Sequence, residues 1–447
     1  MEAGREGSRG LWARLGLARP EARAWALYDW ANSAFMTTVV AGVFPIYFAK
    51  VAAAGLTPEQ AQTRFAYGTA VALLLVALLA PPLGALSDAR ALRKPLLFAF
   101  ALLGVLGTAG LAGVGEGDWL LGLLCFGLGN LGAGASVVFY DGLLPHVAAP
   151  DEVDRTSTAG FALGYLGGGL LLALNLAWIQ RPEWFGMQDL DPTWPSRLAF
   201  LSVAVWWLVF TLPLMRRVPE PPALRVAQRV GGGAADRRGS LLGLAATLRE
   251  IRSFPNAFLM LLAFLIYNDG ILTIIRMATI YGQGIGLGTG DMILALLLVQ
   301  FLGIPCSIAF GGMARRLGTK RSILLALVVY GLVTLLALFM TTATHFYLLA
   351  ALVGLVQGGA QALSRSLFAS LIPRQKSAEF FGFFAIGEKF AGVLGPTLFA
   401  TVLATSESSR TAMGWVMAFF VVGGLLLMRV DVDAGRGQAR AAEGELG

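Results

Sequence analysis

The sequence predicts an all-α polytopic membrane protein, with twelve transmembrane helices in two pseudo-symmetric six-helix halves. Three observations predict it. Apolar segments near the ~20 residues that a bilayer needs recur from end to end. Basic residues concentrate in alternate loops. Landmarks of the first half return 227 positions later in the second. Of the 447 residues, 56% are hydrophobic and only 14% charged, with mean hydropathy +0.69; a soluble protein carries ~25% charged residues. The segments are continuous apolar runs, not short alternating ones, which selects helices over a barrel.

The spans are expected at about 25–49, 63–86, 95–114, 119–140, 156–180, 197–215, 256–281, 290–312, 322–342, 346–370, 380–404 and 411–428. One set of loops holds Arg5, Arg9, Arg14, Arg19, Arg23, Arg90, Arg93, Lys94, Arg155, the arginines from Arg216 through Arg252, Arg315, Arg316, Lys320, Arg321, Arg374, Lys376 and Arg429; the other holds only Lys50, Arg64, Arg181, Arg197 and Arg410. By the positive-inside rule both termini are cytoplasmic, in a multi-pass protein of the cell (inner) membrane. This gives a cytoplasmic tail over 1–24, a six-helix bundle over 25–215, a linker over 216–255, a second bundle over 256–428 and a tail over 429–447. The linker is Pro/Gly/Arg-rich, then offers Leu241, Leu244, Leu248 and Ile251 on one face of an amphipathic helix that suits the inner membrane surface.

Several function classes are excluded. The net charge of +7 is spread over loops between spans, so no nucleic-acid partner is expected. Cys125 and Cys306 both fall inside apolar segments and imply no disulfide framework. With only His146 and His345 present, no metal site is expected. No phosphate-binding loop in a strand–helix context and no Ser/His, HExxH or paired-Asp motif within a span exists. The chain is therefore read as neither an enzyme nor an ATP-driven pump, with no cofactor.

What remains is a set of polar residues inside the spans. The stretch Gly354–Pro373 carries Gln357, Gln361, Ser364 and Arg365 at helical spacing, so they form one stripe. An arginine at the centre of a membrane helix costs roughly 2.5–3.5 kcal/mol, and such a stripe belongs on a water-filled cavity. Arg365 lies about five residues from the inner end of its span, so snorkelling to that surface is the competing reading. Its candidate partners are a substrate carboxylate, Asp29, Asp269 or Glu388. Span one adds Tyr28, Asp29 and Asn32; span seven adds Asn268, Asp269 and Arg276, with Gly270 as a candidate helix break; span eleven adds Glu388 and Lys389. Glu388 is the first candidate proton site, with Asp29 and Asp269 behind it. The six intramembrane charges are three of each sign, and unpaired they would cost roughly 15–20 kcal/mol, so most must pair or be hydrated.

The repeat is carried by loops. Gly84 to Lys94 (GALSDARALRK) and Gly311 to Arg321 (GGMARRLGTKR) each place a basic pair nine and ten residues after a glycine, and Gly168 maps onto Gly395 at the same offset. Gly84, Asp88, Arg93 and Lys94 are expected to pin neighbouring helix ends in one state of a gate. The loop resembles that of the major facilitator superfamily, with one extra residue before the basic pair and with Arg315 where the second copy often has an acid. Tyr28–Phe35 (YDWANSAF), Phe161–Leu176, Tyr267–Gly270 (YNDG), Gly358–Pro373 and Phe380–Pro396 resemble one branch of it: the autophagy-related vacuolar amino-acid effluxer and its bacterial relatives. The resemblance implies a secondary active transporter that moves amino acids outward by alternating access, driven by a proton or other ion gradient and working as a monomer. Multidrug or organic-anion efflux is the alternative within the class; a non-transporting sensor or scramblase is the alternative outside it.

Overall fold

In a computed structural model the chain is described over residues 10–223, 249–284, 289–390, 401–402 and 409–446. It is helical throughout these residues, and ten helices are long and apolar enough to cross a membrane. They are α1 (Pro20–Ala52), α2 (Pro58–Arg90), α3 (Arg93–Gly110), α4 (Trp119–Val147), α5 (Val153–Gln180), α6 (Trp194–Arg217), α7 (Pro255–Gly284), α8 (Thr289–Leu317), α9 (Thr319–Ala337) and α10 (Ala343–Ser370). The expected eleventh span opens as α11 (Ser377–Phe390), its remaining residues lying outside the described ones, and the expected twelfth is α12 (Ser409–Met428). The last helix, α13 (Val432–Leu446), bends 63° away from α12.

The packing repeats between the halves. In the first, α1 packs on α5 and α6, α4 on α2 and α3, and α3 on α6. In the second, α7 packs on α11 and α12, α10 on α8 and α9, and α9 on α12. Each pair is its counterpart moved by six helices. The seam between halves repeats as well: α2 lies on α11, and α8 on α5. Glycine makes both contacts possible. At Gly84 a Cβ would collide with the carbonyl of Ala378, and at Gly311 with the hydroxyl of Thr158. These two glycines are the landmarks of the sequence repeat.

Local chemistry sets the ends that matter. Thr57 and Gln60 form a reciprocal cap with Pro58 in the first turn of α2. At its other end Ala91 adopts the left-handed conformation (φ 53°), at a cost of about 1–2 kcal/mol. That turn starts α3 at Arg93, which returns to Asp88.

Several expectations change. The N-terminal tail is not free: Thr156 donates to the Gly16 carbonyl (2.9 Å) and Leu17 is buried, and the first span starts at Pro20. Gly270 does not break α7. The helix runs through it, and a Cβ there would sit 2.9 Å from Phe419, so the glycine admits α12. The C-terminal tail is the docked helix α13. Leu241, Leu244 and Leu248 lie outside the described residues, whereas Ile251 is buried.

Candidate functional site

Arg365 organises the seam. It projects from α10 and is 4% exposed, so it does not snorkel. Its Nη1 lies 3.1 Å from Asp141 Oδ1 on α4, and its Nη2 3.2 Å from Asp29 Oδ2 on α1. Nε donates to Ser157 Oγ (2.9 Å) and Nη2 to the Ser157 carbonyl (3.0 Å), both on α5. One guanidinium from the second half thus holds three helices of the first, and its planar fork is what lets it do so. The guanidinium carbon lies 4.9, 5.4 and 4.5 Å from the ring centroids of Trp25, Tyr140 and Phe161, within cation–π range.

The surroundings fix this geometry. Tyr140 donates to Asp29 Oδ2 (2.7 Å) and stacks on Trp25 at 4.4 Å, while Trp25 Nε1 donates to the Tyr140 carbonyl (2.8 Å). Ser157 Oγ donates in turn to the Ala362 carbonyl (2.7 Å), tying α5 to α10 a second time. Asp29 keeps 19% of its side chain exposed against 6% for Asp141. Gly160 leaves the needed room: a Cβ there would come 2.6 Å from Asp29 Oδ2 and 3.3 Å from Arg365 Nη2. Gly160→Val is therefore expected to push Asp29 off the guanidinium. A largely buried carboxylate forced off its partner is costly, so the thermal transition of the Gly160→Val protein in detergent is expected to fall below that of the parent, and an unchanged transition would show that Asp29 keeps its place.

Two clasps flank this centre. In the first, Asp88 is fully buried; its Oδ1 lies 2.6 Å from Arg93 Nε and its Oδ2 accepts the Glu379 backbone N–H (2.8 Å) in the first turn of α11, where a carboxylate meets the positive end of the helix dipole. Arg93 donates onward to the carbonyls of Gln375 (2.9 Å) and Arg374 (3.4 Å), and its Nη1 lies 2.9 Å from His146 Nε2. In the second, Asp154 on α5 accepts from Thr319 (2.6 Å) at the start of α9 and from Ser366 (2.5 Å) on α10. The acid of this clasp comes from α5 of the first half, while the loop of the second half has Arg315 in place of an acid.

Other expected residues fall differently. Lys94 enters the first clasp by its backbone, donating to Glu220 Oε2 (2.8 Å). Tyr28 is wholly buried with its ring 5.0 Å from Tyr140. Asn32 and Asn268 are buried, each with an amide oxygen that has no partner among the described residues. Asp269 is buried, and its carbonyl accepts from Thr273 (2.7 Å). Gln357 and Gln361 are half-buried, two turns and one turn above Arg365, about 12 and 6 Å along the axis. The side chains of Arg276, Glu388 and Lys389 lie outside the described residues. Asp141, Ser157 and Asp154 were not among the expected site residues. Asp141 was missed because the fourth span was expected to end at 140, whereas α4 continues to Val147.

Among the described residues, the hydrogen bonds joining the halves gather at the end of the bundle where both termini lie (Arg93, Gly142, Asp154, Ser157, Arg365, Ser377). That terminal end is closed.

Known proteins share this construction. Residues 59–440 match the family described as vacuole effluxer Atg22-like. The chain is 34% identical over 411 residues to YxiO, an uncharacterized MFS-type transporter of Bacillus subtilis (strain 168), covering 92% of this chain and 94% of that one. It is 29% identical over 322 residues to autophagy-related protein 22 of Yarrowia lipolytica, covering 65% of this chain and 52% of the fungal one. Among solved structures, the major facilitator superfamily transporter FucP in its outward conformation superposes with a TM-score of 0.69 at 13% identity, over 92% of this chain and all of that one. With its helices packed in two repeating sets across a clasped seam, the chain belongs to the Atg22-like vacuole effluxer family, within the major facilitator superfamily of membrane transporters.

Proposed function

We propose that this transporter exports amino acids across the cell membrane, coupled to the proton gradient, with its terminal end facing the cytoplasm. The observation that carries the reading is the Arg365 cluster: a fork-shaped cation shared between a partly exposed carboxylate, Asp29, and a buried one, Asp141. An amino-acid zwitterion has complementary ends. Its carboxylate competes with Asp29 for Arg365, and its ammonium takes Asp29. For export the solute loads while the terminal end is open, bridging Arg365 and Asp29; closure of that end brings Asp29 back onto Arg365 and displaces the solute to the other side. The excess of Lys and Arg in the terminal-end loops supports a cytoplasmic orientation.

The test is flux of labelled amino acids in proteoliposomes with and without an imposed pH gradient. Flux of zwitterions that rises with the gradient is expected. If no amino acid moves under either condition, the substrate class is wrong. Loss of the gradient dependence in Glu388→Gln would place the coupling proton there; dependence kept in that variant and lost in Asp29→Asn would move it to the Arg365 cluster. The three aromatic rings around Arg365 favour one second reading, an apolar organic anion. Such an anion uses Arg365 without Asp29, so its flux would survive Asp29→Asn.

A further inference from the structure

The short segment Arg374–Lys376 between α10 and α11 is held by three parts of the chain far apart in sequence. Arg93 of the first half takes the carbonyls of Arg374 and Gln375. Glu443 of α13 takes the opposite side: its Oε1 accepts the Arg374 backbone N–H (3.0 Å), and its carbonyl accepts from Gln375 Nε2 (3.3 Å). Glu250, in the helical turn before α7, pairs with the buried Lys376. Backbone donors and acceptors of one short turn are thus divided between the opposite half and the C-terminal helix.

The seat of α13 is specific. Val432, Gly435, Ala439 and Glu443 recur at helical spacing on the face turned towards the bundle. At Gly435 a Cβ would come 2.6 Å from Leu371 and 3.0 Å from Asn256, so a larger residue must displace those side chains to sit there. The Asp431 backbone donates to Asn256 Oδ1 (2.8 Å) and Arg436 Nε to Ser370 Oγ (3.3 Å). The opposite face of α13, with Asp433, Gln438 and Arg440, is exposed, so the helix is held by this one face.

We propose that α13 is a regulatory strap: docked, it fixes the Arg374–Lys376 turn in the shape that Arg93 grips, and so favours closure of the terminal end; released, it lets that end open. The physical basis is linkage. A segment that binds only one of two states shifts the equilibrium towards that state by its differential binding energy. Arg93 needs both carbonyls presented together, and Glu443 orders the turn that presents them. The proposal rests on the reading of terminal-end closure as one stage of the transport cycle, and it is independent of what the solute is.

The test is a distance measurement between the halves in the full-length chain. Spin labels are placed at the exposed positions Asp151 (first half) and Arg321 (second half), by Asp151→Cys and Arg321→Cys in a background carrying Cys125→Ser and Cys306→Ser. The parent is expected to show one dominant short distance. Gly435→Leu, which crowds the seat of the strap, is expected to raise the longer-distance population roughly tenfold, and Glu443→Ala to raise it by a smaller factor. Unchanged distances in Gly435→Leu overturn the proposal; if that variant does not fold, unchanged distances in Glu443→Ala, which removes the acceptor of the Arg374 N–H, do. No solute is present, so failure here leaves the substrate assay untouched, and failure of that assay leaves this result standing.

Discussion

Arg365→Lys is expected to abolish solute flux, by about a hundredfold or more, in a protein that still folds and inserts. Lysine keeps the charge but concentrates it on one nitrogen. It cannot reach Asp141, Asp29 and both Ser157 acceptors together, as the guanidinium does. Two or more hydrogen bonds to charged groups are lost, each worth about 1.5–3 kcal/mol, and every ~1.4 kcal/mol is a factor of ten in an equilibrium. Retained charge keeps both carboxylates from being stranded, so the effect falls on transport and not on folding. Arg365→Ala differs: it leaves two largely buried carboxylates without this partner, at about 3–5 kcal/mol, and the thermal transition in detergent should fall with it. Flux near the parent rate in Arg365→Lys would show that charge alone suffices and would remove the fork from the mechanism.

Asp88→Asn is expected to open the terminal end. The carboxylate is fully buried and accepts on both oxygens, from Arg93 Nε and from the Glu379 backbone. An amide offers one acceptor and turns two donors on the other partner. Arg93, itself buried, would keep only neutral acceptors: the Arg374 and Gln375 carbonyls and the His146 ring. Stranding a buried charge costs about 3–5 kcal/mol, taken from the closed form alone. Hydrogen exchange over the first turn of α11 should then accelerate by roughly a hundredfold or more, while the far end of α6, around Phe200, keeps its rates. Equal acceleration in both helices would mean global destabilisation and would refute a gating role.

How much of this is legible in the sequence follows from where each interaction comes from. Span positions are legible because bilayer thickness and the absence of backbone partners in lipid act on every segment separately. The gate loop is legible because Gly84, Asp88 and Arg93 lie close together in the chain. Arg365 and Asp29 are visible as polar residues where lipid forbids them, and their pairing was one of the partnerships considered. The rest of the cluster depends on neighbours that only tertiary structure supplies. Asp141 stood beyond an assumed span end, and a helix that continues past the apolar core gives little sign of it. Ser157, Thr319 and Ser366 are small hydroxyls that membrane helices tolerate anywhere, so nothing in their type marks them as seam residues. Tyr140 and Trp25 are common core residues until their ring stack is seen. The docked α13 is too polar and Gly-rich to be recognised by apolar periodicity; its contact rests on a missing side chain at Gly435.

The aspartates at the seam are unevenly distributed. Asp29, Asp88, Asp141 and Asp154 all belong to the first half, and the groups that meet them across the seam, Arg365, the Glu379 amide, Thr319 and Ser366, all belong to the second. The halves fold alike but have become unlike as binding partners. Two copies of the first half, brought together in the same geometry, would set buried acid against buried acid; two of the second would set donor against donor. A repeat with this division behaves as an obligate heterodimer joined by a linker. Expressed as separate polypeptides, the halves should reassemble only first with second, and neither should form a stable pair with itself.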